Sequence, residues 1–244
     1  MKSSFSTPGF LWPLLLLICI ILILSGVYQA LKKTGWKRQR RLTIFFTATV
    51  ILLAWTAILT ALSYKGLFAD FGKLPPRPVL ALLAPLPFVL LFAFSKTGTQ
   101  ILRLVPSHWL IFMQSFRIFV EVLIWFAFLA SKFPVQMTFE GRNFDVLTGI
   151  LALPVGYLVI NRKTYSSRLS IAFNVAGILL LLNIIIIAVF SMPVPIRYFM
   201  NEPSASLIAQ FPFILLPGVL VPIAYSLHIF SLRQFFIKKQ IVSI

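Results

Sequence analysis

A chain of 244 residues that is 59% hydrophobic and only 11% charged, with a mean hydropathy of +0.97, lies far outside the composition of a soluble globular domain. Its formal charge of +17 would suit a nucleic-acid binder. In a membrane chain the same charge orients the protein and attracts anionic headgroups, about 1 kcal/mol per nearby Lys or Arg, so nucleic acid is not an expected partner.

Crossing about 30 Å of hydrocarbon takes roughly 20 apolar residues as helix, because a helix satisfies its own backbone polar groups away from water. The apolar runs are continuous rather than alternating, which selects helices over strands. Seven such runs are predicted, at 10–30, 42–63, 78–95, 108–131, 145–161, 169–191 and 207–231. The expected fold is all-α, a polytopic membrane bundle of seven helices forming a single transmembrane domain over 1–244. No linker or low-complexity tract divides it.

The first run follows Lys2 and ends in SGVYQA, whose small residues could pass for a signal-peptide cleavage site. The basic stretch KKTGWKRQRR at 32–41 follows at once, so helix 1 is expected to be retained, with Trp36 as an interfacial anchor. Cys19, in this run, is the sole cysteine, so the chain has neither an internal disulfide nor a cysteine-based metal site. The second run carries Thr49 and Thr56, seven apart on one face. The third is broken up by Pro78, Pro85 and Pro87.

The fourth run contains QSFRIFVE, residues 114–121. At about 100° per residue, Gln114, Arg117 and Glu121 share an arc of about 60°. Arg117 and Glu121 straddle the midplane, where a charge costs about 2.5–3.5 kcal/mol. This face must point into the bundle, and the i,i+4 spacing predicts that Arg117 and Glu121 pair with each other. Such a pair reads either as a solute, ion or proton site or as a buried ion pair that fixes packing. The loop KFPVQMTFEGRNFD, 132–145, then gathers Glu140, Arg142, Asn143 and Asp145 around Gly141, with Phe133, Met137, Phe139 and Phe144 interleaved. It is expected either to fold back onto the bundle mouth as a ligand-contacting lid or to lie in the interface with its aromatics anchored among headgroups, with Gly141 permitting a turn.

The sixth run holds Asn174 and Asn183, which point oppositely. Asn183, nearer the depth of Glu121, is the better candidate for a shared site. The seventh holds Gln210, Pro212, Pro217, Gly218 and Pro222. His108 and His228 fall near one side of the membrane and could form a pair, but no acidic residue lies there to complete a metal site. No catalytic residue, metal site or cofactor is expected.

Fourteen of the 22 Lys and Arg fall on the side of residues 32–41, against seven on the other: Lys2, Lys65, Lys73, Arg77, Lys132, Arg142 and Arg197. The positive-inside rule then puts the N-terminus outside and the C-terminus in the cytoplasm, in a multi-pass protein of the cell (inner) membrane.

FRIFVE and FPVQMTFEGRNFDVLTG resemble stretches of uncharacterised bacterial seven-span membrane proteins, over about an eighth of the chain. The resemblance implies a membrane bundle and no particular activity. The span count and orientation are similar to the 3+1+3 plan of the SWEET sugar transporters, without their Pro-Gln dipeptide. They are similar too to rhodopsins and G-protein-coupled receptors, without an intramembrane lysine or an Asp-Arg-Tyr motif. The expected function is a transporter or binder of a small polar or anionic solute, through Gln114, Arg117, Glu121, Glu140, Arg142, Asn143, Asp145 and Asn183. The alternatives are a structural or accessory subunit with a protein partner or a second copy, and a seven-helix sensor. An enzyme is the least supported class.

Overall fold

The structure, a computed structural model, describes residues 9–161 and 163–242, with the side chains of 161–167 and 238–242 outside the description. Of the charges counted above, Lys2, Arg162, Lys163, Lys238 and Lys239 therefore lie outside the described side chains. The described residues are helical, with no strand among them.

The elements are α1 (Leu11–Lys32), α2 (Arg38–Tyr64), α3 (Arg77–Leu83), α4 (Leu86–Phe94), α5 (Lys96–Leu104), α6 (Ser107–Phe112), α7 (Phe116–Leu129), α8 (Val146–Asn161), α9 (Lys163–Ser191) and α10 (Val221–Val242). A π-helical segment, Leu216–Leu220, leads into α10. Among the described residues six segments are long and apolar enough to cross a membrane, which marks a multi-pass membrane protein: α1, α2, α3 with α4, Ser107–Leu129, Arg168–Ser191 and Leu216–Ile237.

The fifth expected span, 145–161, is a helix, but a short one. Sixteen residues of α8 rise about 24 Å, short of a bilayer core. Its beginning explains the length. A Schellman motif ends α7, with Ser131 left-handed at φ 54°, the Ser131 N–H donating to the Phe128 carbonyl at 2.8 Å and the Lys132 N–H to that of Ala127 at 2.9 Å. The chain turns back along α7 instead of leaving the bundle. Phe133 is buried edge-on against Phe213, which in turn meets Trp12. By the time α8 starts, the chain is already inside.

Proline acts according to position. Pro78 occupies the first turn of α3, where its missing N–H costs nothing. Pro85 and Pro87 open α4, so the break they make falls between α3 and α4. Pro217 lies in the π segment, whose Gly218 carbonyl accepts a hydrogen bond from the Trp55 indole N–H at 2.8 Å. Pro154 lies within α8, which continues through it.

Residues 96–104, between the third and fourth expected spans, form α5. Ser95 caps it, its Oγ accepting from the Gly98 N–H at 2.9 Å. Ile101 and Leu102 are buried while Lys96, Gln100 and Arg103 are exposed, so the helix is amphipathic. Gln234 of α10 donates to the Leu102 and Val105 carbonyls at its end. This end of the bundle, with the basic stretch 32–41, is the basic end below; the end holding 130–145 and 192–215 is the loop end.

Candidate functional site

Arg117 lies close to the centre of the 23-residue segment Ser107–Leu129. It and its helical neighbours Gln114 and Glu121 are all buried, as the shared face requires. The expected Arg117–Glu121 pair is not what forms. The Arg117 guanidinium grips Asp145 with two donors, Nε to Oδ2 at 2.7 Å and Nη2 to Oδ1. The fork matches a carboxylate bidentately, which one turn of a helix cannot offer and a facing helix start can.

Asp145 reaches that depth because the loop folds into the bundle. Asn143 holds the fold together: its Nδ2 donates to Glu121 Oε2 at 2.6 Å and to the Met137 carbonyl at 2.9 Å, and its Oδ1 accepts from the Asp145 N–H at 3.0 Å. Gly141 serves by lacking a Cβ rather than by adopting a left-handed turn. A Cβ there would overlap the Val135 carbonyl and the Gln136 backbone. Gln136 ties the loop to the far end of α9, donating to Ser191 Oγ at 2.9 Å and accepting from Asn201 Nδ2 at 2.8 Å.

The third Arg117 donor, Nη1, lies 3.0 Å from His228 Nε2. A guanidinium only donates, so Nε2 must accept and the proton of a neutral His228 is on Nδ1. Nδ1 is 2.9 Å from Asn174 Oδ1, and Asn174 Nδ2 donates to Ser231 Oγ at 2.8 Å and the Ser170 carbonyl at 2.7 Å. Each nitrogen in the relay from Arg117 to Asn174 except His228 Nε2, which accepts, has an acceptor. Gly177 lets the imidazole lie flush on α9, since a Cβ at 177 would overlap ring atoms of His228.

The structure thus brings Gln114, Arg117, Glu121, Asn143 and Asp145 together and leaves the other candidates outside. Glu140 is exposed and accepts from the Trp125 indole at 2.7 Å. Arg142 is exposed, and Asn183 donates to its backbone carbonyl at 2.9 Å. Of the two asparagines on α9, Asn174 and not Asn183 joins the site, because the site extends toward the basic end through His228. His228 went unpredicted as a member. A histidine in a span with a serine three residues on was the available signal. The described partners of His228 are Arg117, Asn174 and the Phe173 ring, not His108.

A cavity of about 60 Å³, room for a few waters, borders Arg117, Glu121 and Asp145. Its other walls are apolar: Pro78 and Leu82 of α3, Ile184 and Ala188 of α9, and Pro217 and Leu220 of the π segment. Arg117 and Asp145 offset each other, and among the described residues Glu121 has no ion-pair partner, only the neutral amide of Asn143. The site offers a carboxylate in an apolar chamber.

The model of a family described as a domain of unknown function, DUF8737, matches residues 77–236, from the start of α3 into α10, and so takes in every residue of this site. No curated protein and no solved structure matches the chain.

Proposed function

The chain belongs to the DUF8737 family, and we propose that it is a membrane-embedded carrier or binder of a small solute, taken up in the cavity between α3, α7, α9 and the π segment. The observation that supports this most is that the cavity touches Glu121 while the two interrupted helical segments form its opposite wall. π segments and proline breaks loosen the backbone where helices would otherwise be stiff, which is what opening and closing a chamber requires.

The geometry favours a small polar or cationic solute, or a proton, over an anion. Three Arg117 nitrogens are already engaged by Asp145 and His228. An anion would have to displace Asp145, stranding a buried carboxylate. A cation or a neutral donor meets Glu121 at no such cost. We propose further that α8 completes a seventh crossing, through the re-entrant loop, and that the basic end is cytoplasmic in the cell membrane.

Reconstitution into sealed vesicles tests the reading. Small cations and polar solutes imposed as gradients should drive solute or proton movement in the wild type, and Glu121→Gln should reduce it at least tenfold while leaving the protein folded. Equal flux from the two proteins would refute a role for Glu121. A second reading, an accessory subunit, draws on α2, of whose most apolar stretch only 6% is buried. It would replace the first if neither protein moved solute and a stoichiometric partner remained bound through purification.

A further inference from the structure

The side chain of Arg142 turns away from the Glu121 cavity. It enters a separate groove of about 660 Å³ on the outer face of α9, formed with Phe144, Ile186, Phe190, Tyr198 and Phe199. The vertical placement of these residues follows from backbone bonds. Asn183 fixes the Arg142 carbonyl at its own level on α9. The Tyr198 and Phe199 N–H groups donate to the Phe190 carbonyl at 3.0 and 3.1 Å, one residue before α9 ends. Asn183 to Phe190 is a rise of about 10 Å. The Arg142 guanidinium, with Cζ 5.4 Å from the centre of the Phe199 ring, has therefore climbed from inside the apolar layer to the end of the span. Below it the groove is walled by Phe144 and Ile186, both about half exposed.

Among the described residues Arg142 has no carboxylate partner, although all three ion pairs found there involve arginine. Its nearest acid in sequence, Glu140, is held by Trp125. A cation at headgroup height, held over an aromatic ring, above an apolar trough open to the hydrocarbon, matches one ligand chemistry: a phosphate ester joined to an alkyl chain.

We infer that this groove is a binding site for one anionic phospholipid, its phosphate on Arg142 beside Tyr198 and an acyl chain along Ile186 and Phe144. The inference does not depend on the transport reading.

Native mass spectrometry of the detergent-purified full-length protein, titrated with phosphatidylglycerol, tests it. The wild type should hold one lipid more tightly than the rest. Arg142→Gln should weaken that lipid about tenfold, the loss of a charge-assisted contact. Ile186→Trp, which fills the trough and leaves the charge, should weaken it comparably. Arg77→Gln, which removes a cation paired with Asp70 elsewhere, should change nothing. Thermal unfolding checks each variant, and if Ile186→Trp does not fold, Arg142→Gln decides. Retention by Arg142→Gln equal to that of the wild type would mean an arginine that only reaches for the interface, and the inference fails. Displacement of the lipid by millimolar inorganic phosphate would make this a site for soluble phosphate, and would overturn the lipid assignment as well.

Discussion

At the scale of residues, the site shows what spacing can and cannot decide. That Gln114, Arg117 and Glu121 share a buried face is a property of helical periodicity, and it is legible without coordinates. Which carboxylate neutralises Arg117 is not, because Asp145 is distant in sequence and reaches it only through the loop's return. Stability should follow the observed pairing. Asp145→Asn should cost about 3–5 kcal/mol by leaving Arg117 without its counter-charge, whereas Glu121→Gln, still able to accept from Asn143, should cost within about 1 kcal/mol. Thermal unfolding in detergent would show whether that order holds; a larger loss for Glu121→Gln would restore the helical pair. Gly177→Ala should cost about 1–3 kcal/mol, since its methyl would press into the His228 ring. An unchanged melting temperature would mean that the imidazole can tilt away freely.

At the scale of elements, composition identified the helices but not their depth. Residues 145–161 are apolar enough for a span, yet α8 starts beside Arg117 because 130–145 is a re-entrant stretch, pinned by Phe133, Gln136 and Asn143. The interleaved aromatics of that loop were the visible signal that it packs. Only Phe133 and Met137 are buried, while Phe139 and Phe144 stay exposed, a division no pattern of four apolar residues could give. Proline was read more simply than it behaves: Pro78, in the first turn of α3, starts a helix, and the interruptions fall at Pro85–Pro87 and at the π segment.

The segment after α9 carries an exposed lever. Arg197 Nη1 donates to Glu202 at 2.9 Å, and the Ser204 N–H donates to the same carboxylate at 2.7 Å. These two hydrogen bonds, the arginine's first, hold the Glu202 carboxyl below its ordinary range. A depressed folded value means the contribution is present above the unfolded carboxylate range, near 4.3, and is lost as pH falls through the lower folded value. The protection of residues 197–204 against hydrogen exchange, taken relative to the intrinsic amide rate at each pH, should therefore fall only below about pH 4. Glu202→Gln should show the lower protection already at neutral pH; protection indifferent to both would leave the contact without effect.

At the scale of the whole molecule, polar chemistry runs through the bundle as one connected path, from Glu121 and Asn143 through Asp145, Arg117, His228 and Asn174 to Ser231 near the basic end. A lipid-facing helix bundle gains nothing by carrying these groups unless they position something, since each is costly to bury unpaired. We propose that the chamber beside Glu121 admits a small polar or cationic molecule. The most direct test is thiol chemistry on Ala188→Cys, a buried cavity-wall position, in a Cys19→Ser background, with small charged reagents of opposite sign applied to membrane vesicles. The Ala188→Cys thiol should be modified, several-fold faster by the cationic reagent than by the anionic one, and that preference should be lost in Glu121→Gln. No modification by either reagent, or a faster anionic reaction, would contradict it.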